Sequence, residues 1–392
     1  MTLLSNIFAQ KPIQLDLRIY RSLFDAVHSI THGDSVLSLT SMGRESALFS
    51  NCKEKHSIKR VDRLLGNLRL HQSRPQFYQA ILSMFCHNSN PLIHVDWSTV
   101  YNYDFVMLRA AISIDKRAIT VYEEVHPEHK MGNHQVHKNF LKNLATLLPE
   151  GIIPIICTDA GFKVPWFKEV ESFGWYWLAR TRGTVKCQIE NKADWLYVNE
   201  YHVLATGKAT ELADLRLSKS QKHACRGVLI KKKNKGRHNH NRQGQTTLCN
   251  SNKQHAKSAR EPWFLISNLP GQYKPHELVN MYRRRMSIEE SFRDCKNEYY
   301  GLGLSRSKSR CVERLQAILL IALLAQIYLY CVGKAAENKR YHWDFQANTV
   351  RARRVLSYAF LALRIIKYQR YTISDKEIHS ALNELIQEAL WN

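Results

Sequence analysis

From Tyr20 to Asn67 the apolar residues recur at helical spacing. Leu23, Val27 and Ile30 mark one segment, Leu39 to Leu48 a second and residues 57–67 a third. The pattern changes at Pro91. LIHVDWS, FVMLRAAISI and RAITVYEEV are β-rich runs separated by short polar turns, and they predict an antiparallel meander. A helix follows from His134 to Leu148, then an apolar run over residues 152–158, a helix from Lys163 to Phe173 and a strand over residues 175–180. Three strands, helix, strand, helix, strand is an α/β order.

Residues 184–275 break that rhythm. ADWLYVNEYHVLA and GVLIKKK are short strand patterns, and a long polar stretch follows, so the region reads as a β-leaning insertion with a basic loop. EPWFLISNLP, at residues 261–270, returns to strand character. Val279 to Lys296 then reads as one helix with no Gly or Pro inside it. A Gly- and Arg-rich turn leads to LQAILLIALLAQIYLYCV at residues 315–332. As a helix this run is about 27 Å long, close to the ~30 Å of a bilayer's hydrocarbon layer. Gln316 and Gln326 lie inside it and basic residues flank both ends, which favours a buried core helix over a membrane span. The tail from His342 is helical and basic at residues 351–354.

Charge narrows the choice of partner. The 392 residues include 57 Lys and Arg against 34 Asp and Glu, a formal charge of +23, with a pI near 9.7. Because the excess is spread along the chain, nucleic acid fits better than a membrane surface. On the third N-terminal helix, Lys59, Arg60 and Arg63 suit a helix-turn-helix-like DNA reader, although a plain bundle with solvated charges fits the same residues. Lys231, Lys232, Lys233, Lys235, Arg237 and Arg242 form either a phosphate-contacting loop or a solvated one. His238 and His240 have no second ligand pair at metal-binding spacing. Nine scattered cysteines without a CxxC pair predict free thiols in a reducing cytoplasm, and the first residues show no secretory pattern.

Candidate chemistry centres on the helix from Val279 to Lys296. Tyr282, Arg285, Glu289 and Lys296 fall within about 60° of one another, beside an apolar stripe of Met281, Ile288, Phe292, Cys295 and Tyr299. Glu290 points away, which leaves Glu289 as the functional carboxylate. An amphipathic surface helix with ordinary charge pairs is the competing reading. Asp96 ends the first predicted strand and Asp159 follows the fourth, at the strand ends where α/β sheets place chemistry. Either alone could be a turn residue. Brought together with Glu289, they would repel one another unless cations joined them, and such hard oxygen donors suit Mg²⁺ or Mn²⁺. Two such ions support in-line attack on a phosphodiester, with Arg285 and Lys296 on the DNA phosphates. Trp263 is either a buried strand residue or a platform for an unstacked base.

The spacing of Tyr282, Arg285, Glu289 and Lys296 resembles the Tyr-Arg-Glu-Lys signature of bacterial DDE transposases of the insertion-sequence-four family. VDWS at 95–98, TDAGFKVPW at 158–166, GWYWLAR at 174–180, YGLGL at 300–304 and FQANTVR at 345–351 extend the resemblance over nearly the whole chain. It implies a ribonuclease H-like α/β catalytic core at residues 89–183 and 276–335, interrupted by a β-rich insertion at 184–275. An N-terminal helical DNA-end-binding domain (1–88) and a C-terminal helical region with dimer contacts (336–392) complete the expected layout. The resemblance makes Asp96, Asp159 and Glu289 the Mg²⁺-binding triad, puts Tyr282, Arg285 and Lys296 on transposon-end DNA, and stacks a flipped base on Trp263. It implies a cytoplasmic, nucleoid-associated homodimer that pairs two transposon ends, cleaves them through a hairpin and joins them to target DNA. A nuclease on the same fold and a catalytically silent DNA-binding regulator are the alternatives.

Overall fold

Branched and aromatic residues dominate the segment from Leu92 to Pro127, and in the computed structural model they form three antiparallel strands: β1 (Leu92–Val100), β2 (Phe105–Ile114) and β3 (Arg117–Pro127). The structure describes residues 2–9, 11–33, 36–100, 104–183, 185–189, 194–232, 261–350, 352–368 and 370–390. Contacts divide the chain into two compact units, one of Met1–Ile152 with Met286–Asn392 and one of Ile153–Arg285. Both are built from helices on mostly antiparallel sheet, a mixed α/β architecture.

Five helices precede the strands in the first unit: α1 (Thr2–Ala9), α2 (Leu17–His32), α3 (Leu39–Leu48), α4 (Glu54–Leu65) and α5 (Leu68–Phe85). Asp16, Ser38 and Asn67 cap α2, α3 and α5 by accepting backbone N–H groups. The hydrophobic pattern gives no hint of α5, whose first half is polar and which carries Pro75. It forms because Leu70, Phe77, Tyr78, Ile81 and Phe85 are buried on one side. Across the sheet, Asp96 pairs with Arg109 and Arg109 with Glu123. Directly opposed residues point to the same face, so these three charges form one row. β1 runs on through the pairs Ser98–Met107 and Val100–Phe105. Asp96 is therefore in mid-strand and not at the strand end expected from the sequence. Helix α6 (His134–Leu147) follows. Its His137 accepts the indole N–H of Trp97 at 3.0 Å.

In the second unit, β4 (Ile155–Thr158) connects through α7 (Val164–Ser172) to a parallel neighbour, β5 (Tyr176–Thr181). Phe167 of α7 stacks on Trp177 of β5 with ring centroids 4.2 Å apart. The insertion adds β6 (Lys186–Ile189), β7 (Leu196–Tyr197), β8 (Thr210–Leu217) and β9 (His223–Ile230), and β10 (Trp263–Ser267) joins β9 to β5. The strand expected over ADWLYVNEYHVLA is short. Val198–Leu204 winds into a 3₁₀ helix instead, because Glu200 accepts the Tyr197 N–H and Tyr201 is buried with its hydroxyl on the Cys187 carbonyl. Helix α8 (Pro275–Arg284) closes the unit. The loop before it is held by Arg226 of β9, which donates to the carbonyls of Leu269, Pro270 and Tyr273.

The predicted single helix over residues 279–296 is two helices, α8 and α9 (Met286–Lys296). Arg285 keeps helical dihedrals, but its N–H bonds to Tyr282, three residues back, in place of the usual fourth. α9 returns to the first unit and lies on the β1–β3 face. Its seam is polar as well as apolar. Ser287 meets Ser113, itself bonded to His94; Ser291 accepts from Arg109 at 3.3 Å; and Asp294 accepts from Arg117 at 2.7 Å. Positions 287, 291 and 294 share one helical face. Tyr299, expected on the apolar stripe, is 86% exposed. The helix has ended at Lys296, and the chain turns back through Gly301, where any β-carbon would overlap the Asp294 carbonyl.

Helix α10 (Val312–Asn338) contains the long apolar run, and 94% of its most apolar 18-residue window is buried inside the protein. It packs on α2, β3, α11 (Tyr358–Lys367) and α12 (Asp375–Leu390). Gly333 faces the Tyr358 carbonyl at a crossing too close for any β-carbon. Gln316 accepts from Arg74 and Gln326 donates to the Tyr330 hydroxyl at 2.9 Å, so neither glutamine is stranded in the core.

Two predictions follow from these buried groups. Arg109 and Glu123 are 3% and 1% exposed and meet at 2.7 Å. Either Arg109→Met or Glu123→Gln alone is expected to lower the unfolding free energy by about 3–5 kcal/mol, whereas an apolar replacement of both should recover much of the loss. Urea titration of the three variants checks this. Burial first, then neighbouring histidines, pushes both His32 and His137 down to about 4. Between pH 6.5 and 4 the unfolded chain then binds protons that the folded chain does not, so stability should fall as pH drops through that window. His137→Gln, which keeps an acceptor for Trp97, should flatten the slope measured by urea midpoints at several pH values.

Candidate active site

Within the first unit the site is built on the charged row of the sheet. Asp96 is half-buried on β1, and its Oδ1 accepts the Trp97 N–H at 2.9 Å. Ser98, two residues on and therefore on the same face, accepts a 2.6 Å hydrogen bond from Lys296 Nζ. That bond ties the end of α9 to the strand that carries Asp96. Glu289 lies near the start of α9 and is half-buried. Glu290, the next residue, pairs with Arg117 and Arg293. Burial, reinforced by Arg109, pushes the Lys296 amine down to about 8 despite the opposing influence of Cys295.

The second unit holds the other half of the expected set. Asp159 directly follows β4, and its Oδ1 accepts the Gly161 N–H at 2.8 Å. Tyr282 and Arg285, expected on an open polar face, are 5% and 8% exposed. The Trp263 ring stands edge-on to Tyr282 at 5.0 Å. Burial pushes the Tyr282 phenol up to about 12, with Arg285 and Arg180 pulling it down and Cys157 and Asp159 pushing it further up. Arg180 lies 5.9 Å from the Trp263 ring centre. Its own pKa falls to about 10 through burial and then the charge of Arg182, with Arg285 contributing less. Like charges gathered in a partly dry site favour an incoming anion.

Sequence reasoning named Tyr282, Arg285 and Trp263 but not Arg180, Arg182 or Ser98. The first two lie in and just after GWYWLAR, yet an Arg at the end of an apolar strand carries no signal by itself. Lys232 does approach the Trp263 ring, with its Nζ 2.8 Å from the ring centre. Lys233, Lys235, Arg237, His238, His240 and Arg242 lie outside the described residues. On α4, Lys59 and Arg63 are exposed. Arg60 is engaged in packing, 3.9 Å from Asp25 and bonded to Ser46.

Residues 103–327 match the family described as transposase DDE domain. The chain belongs to the DDE transposase family. The match covers Asp159 and Glu289 and begins just downstream of Asp96. No curated protein matches the chain. Membership implies a ribonuclease H-like core, DNA as the partner and divalent metal ions as the family's usual helpers. Three carboxylates supply the hard oxygen donors that such ions take. Among the described residues, no three His, Cys, Asp or Glu side chains are gathered closely enough to hold a metal ion. Asp96 and Glu289 belong to the first unit of the transposase and Asp159 to the second.

Gly161 is the local constraint on Asp159. A β-carbon at Gly161 would lie 2.9 Å from Asp159 Oδ1, so the carboxylate or the loop must shift. As a test of whether Asp159 belongs to the site, Gly161→Ala is expected to cut DNA cleavage about tenfold or more, while leaving the thermal midpoint nearly unchanged. A cleavage assay paired with a melting curve tests it.

Proposed function

We propose that this DDE transposase is a cut-and-paste enzyme that binds the inverted-repeat ends of its element as a homodimer, cleaves them through a hairpin and joins them to target DNA. The observation that carries the reading is the Lys296–Ser98 bond, which docks the helix of Glu289 on the strand of Asp96. The spacing of Tyr282, Arg285, Glu289 and Lys296 supports a place in the insertion-sequence-four branch, and YGLGL and FQANTVR resemble the transposase of transposon ten.

In this mechanism Asp96, Asp159 and Glu289 would be the residues that hold Mg²⁺, with Mn²⁺ as a substitute. The chemistry they would supply is activation of a water or 3′-hydroxyl and stabilisation of a leaving oxygen. Lys296 steadies a phosphate next to the strand of Asp96. Arg285 and Arg180 draw the DNA backbone towards Tyr282 and Trp263, and the indole receives the base that leaves the helix when the hairpin closes. Lys59 and Arg63, exposed on α4 of the region spanning residues 1–88, contact the transposon end in duplex form.

The test uses the full chain with duplex DNA that carries the borders of its own coding region. With Mg²⁺, wild type should yield nicks, hairpins and target insertions. Asp96→Asn, Asp159→Asn and Glu289→Gln should each lower cleavage by about 10³-fold or more, in line with the loss of a metal-binding carboxylate, while duplex binding by gel shift stays within a few-fold. Hydrolysis without hairpins or insertions would make the protein a nuclease. Full activity in any one of the three variants would remove that residue from the site.

A further inference from the structure

A cavity of about 430 Å³ lies wholly within the first unit, between the start of α3 and the segment that leads into α10. Leu39, Leu65 and Ile318 give it an apolar floor, and Lys308, Arg310 and Arg314 contribute positive charge. No acidic residue is among the residues that line it. Arg314 is partly committed, since it bonds Asp62 at 2.6 Å, but Lys308 and Arg310 are exposed. Helix α10 begins beside the cavity with no side-chain cap at Cys311. The first turn carries Glu313, whose carboxylate accepts from Cys311 Sγ at 2.8 Å and offsets the field of the helix terminus, so the positive charge of the cavity is that of Lys308, Arg310 and Arg314. A separate observation concerns Ser309, whose Oγ is buried and has no hydrogen-bond partner among the described residues. A buried hydroxyl without a partner is costly, and a ligand oxygen would relieve it.

We propose that this cavity binds one backbone phosphate of the transposon-end DNA, with the attached sugar over the apolar floor. The proposal rests on the transposase reading and deepens it by giving the DNA a second anchor away from the carboxylates. Continuity favours DNA as the source of the phosphate. Leu65 and the Asp62–Arg314 pair join the cavity to α4, the helix that exposes Lys59 and Arg63. Inorganic phosphate shares the same chemistry.

The experiment measures fluorescence anisotropy of the border duplex against salt concentration for full-length wild type, Lys308→Gln/Arg310→Gln and Ser309→Ala. It is accompanied by Mg²⁺-dependent cleavage and by calorimetric titration with inorganic phosphate. The double variant should bind about tenfold more weakly, with a salt slope shallower by about one to two, and Ser309→Ala should lose a few-fold. Unchanged affinity and slope in both variants, with wild type still cleaving the duplex, would overturn the phosphate site and leave the transposase reading intact. Phosphate binding that the double variant abolishes, with duplex affinity unchanged, would overturn DNA as the source. Failure of wild type to bind or cleave the duplex would overturn the transposase reading and this proposal with it.

Discussion

The buried pair of Arg109 and Glu123 is the contact on which the first unit is organised. Glu123 Oε2 receives both the Nε and a terminal nitrogen of Arg109, while another terminal nitrogen reaches Ser291 and the guanidinium covers the Phe292 ring at 4.7 Å. Burial alone would lower the Arg109 pKa, yet Glu123 and Cys295 outweigh it and hold it above the ordinary value. A charge so placed cannot be moved without leaving its partner unpaired in a dry interior. The guanidinium therefore fixes where α9 lies on the sheet, and with it the positions of Glu289 and Lys296.

The same arrangement accounts for the electrostatics at the head of the site. Asp96, Arg109 and Glu123 alternate in sign across three strands, and the sheet holds them in register. Arg109 thus sits between the two carboxylates, and it adds a smaller push to the burial that brings the Lys296 amine down to about 8. That burial strips water from the amine, and charges interact more strongly where water is excluded.

Much of this was legible in the sequence. The strands β1 to β5 and their intervening helices lie within a few residues of the predicted ones, because each apolar run is bounded by polar turns or by Pro. Membership of the DDE transposase family was legible through motif order and spacing. The polar seam was not, since Ser287, Ser291 and Asp294 look like a solvated face until β2 and β3 bring Arg109, Arg117 and Ser113 opposite them. Nor was the interruption at Arg285, which depends on a hydrogen-bond shift and no helix-breaking residue. Asp96 stands in mid-strand because the pairing of Thr99 with Val106 and of Val100 with Phe105 carries β1 beyond the LIHVDWS run. Helix α5 was hidden by Pro75, whose cost is offset by aromatic burial that only tertiary structure supplies.

Helix α10 has a consequence for how the chain is made. Its apolar surface is covered in part by α11 and α12, which are synthesised after it. Until those segments leave the ribosome, the nascent chain carries a hydrophobic helix long enough to engage a membrane-insertion machinery or a chaperone. A premature stop between residues 338 and 358 would leave uncovered the part of that surface that α11 and α12 bury. The C-terminal helices thus complete the cover that α2, α5 and β3 begin, and with it the burial of a segment long and apolar enough to span a membrane.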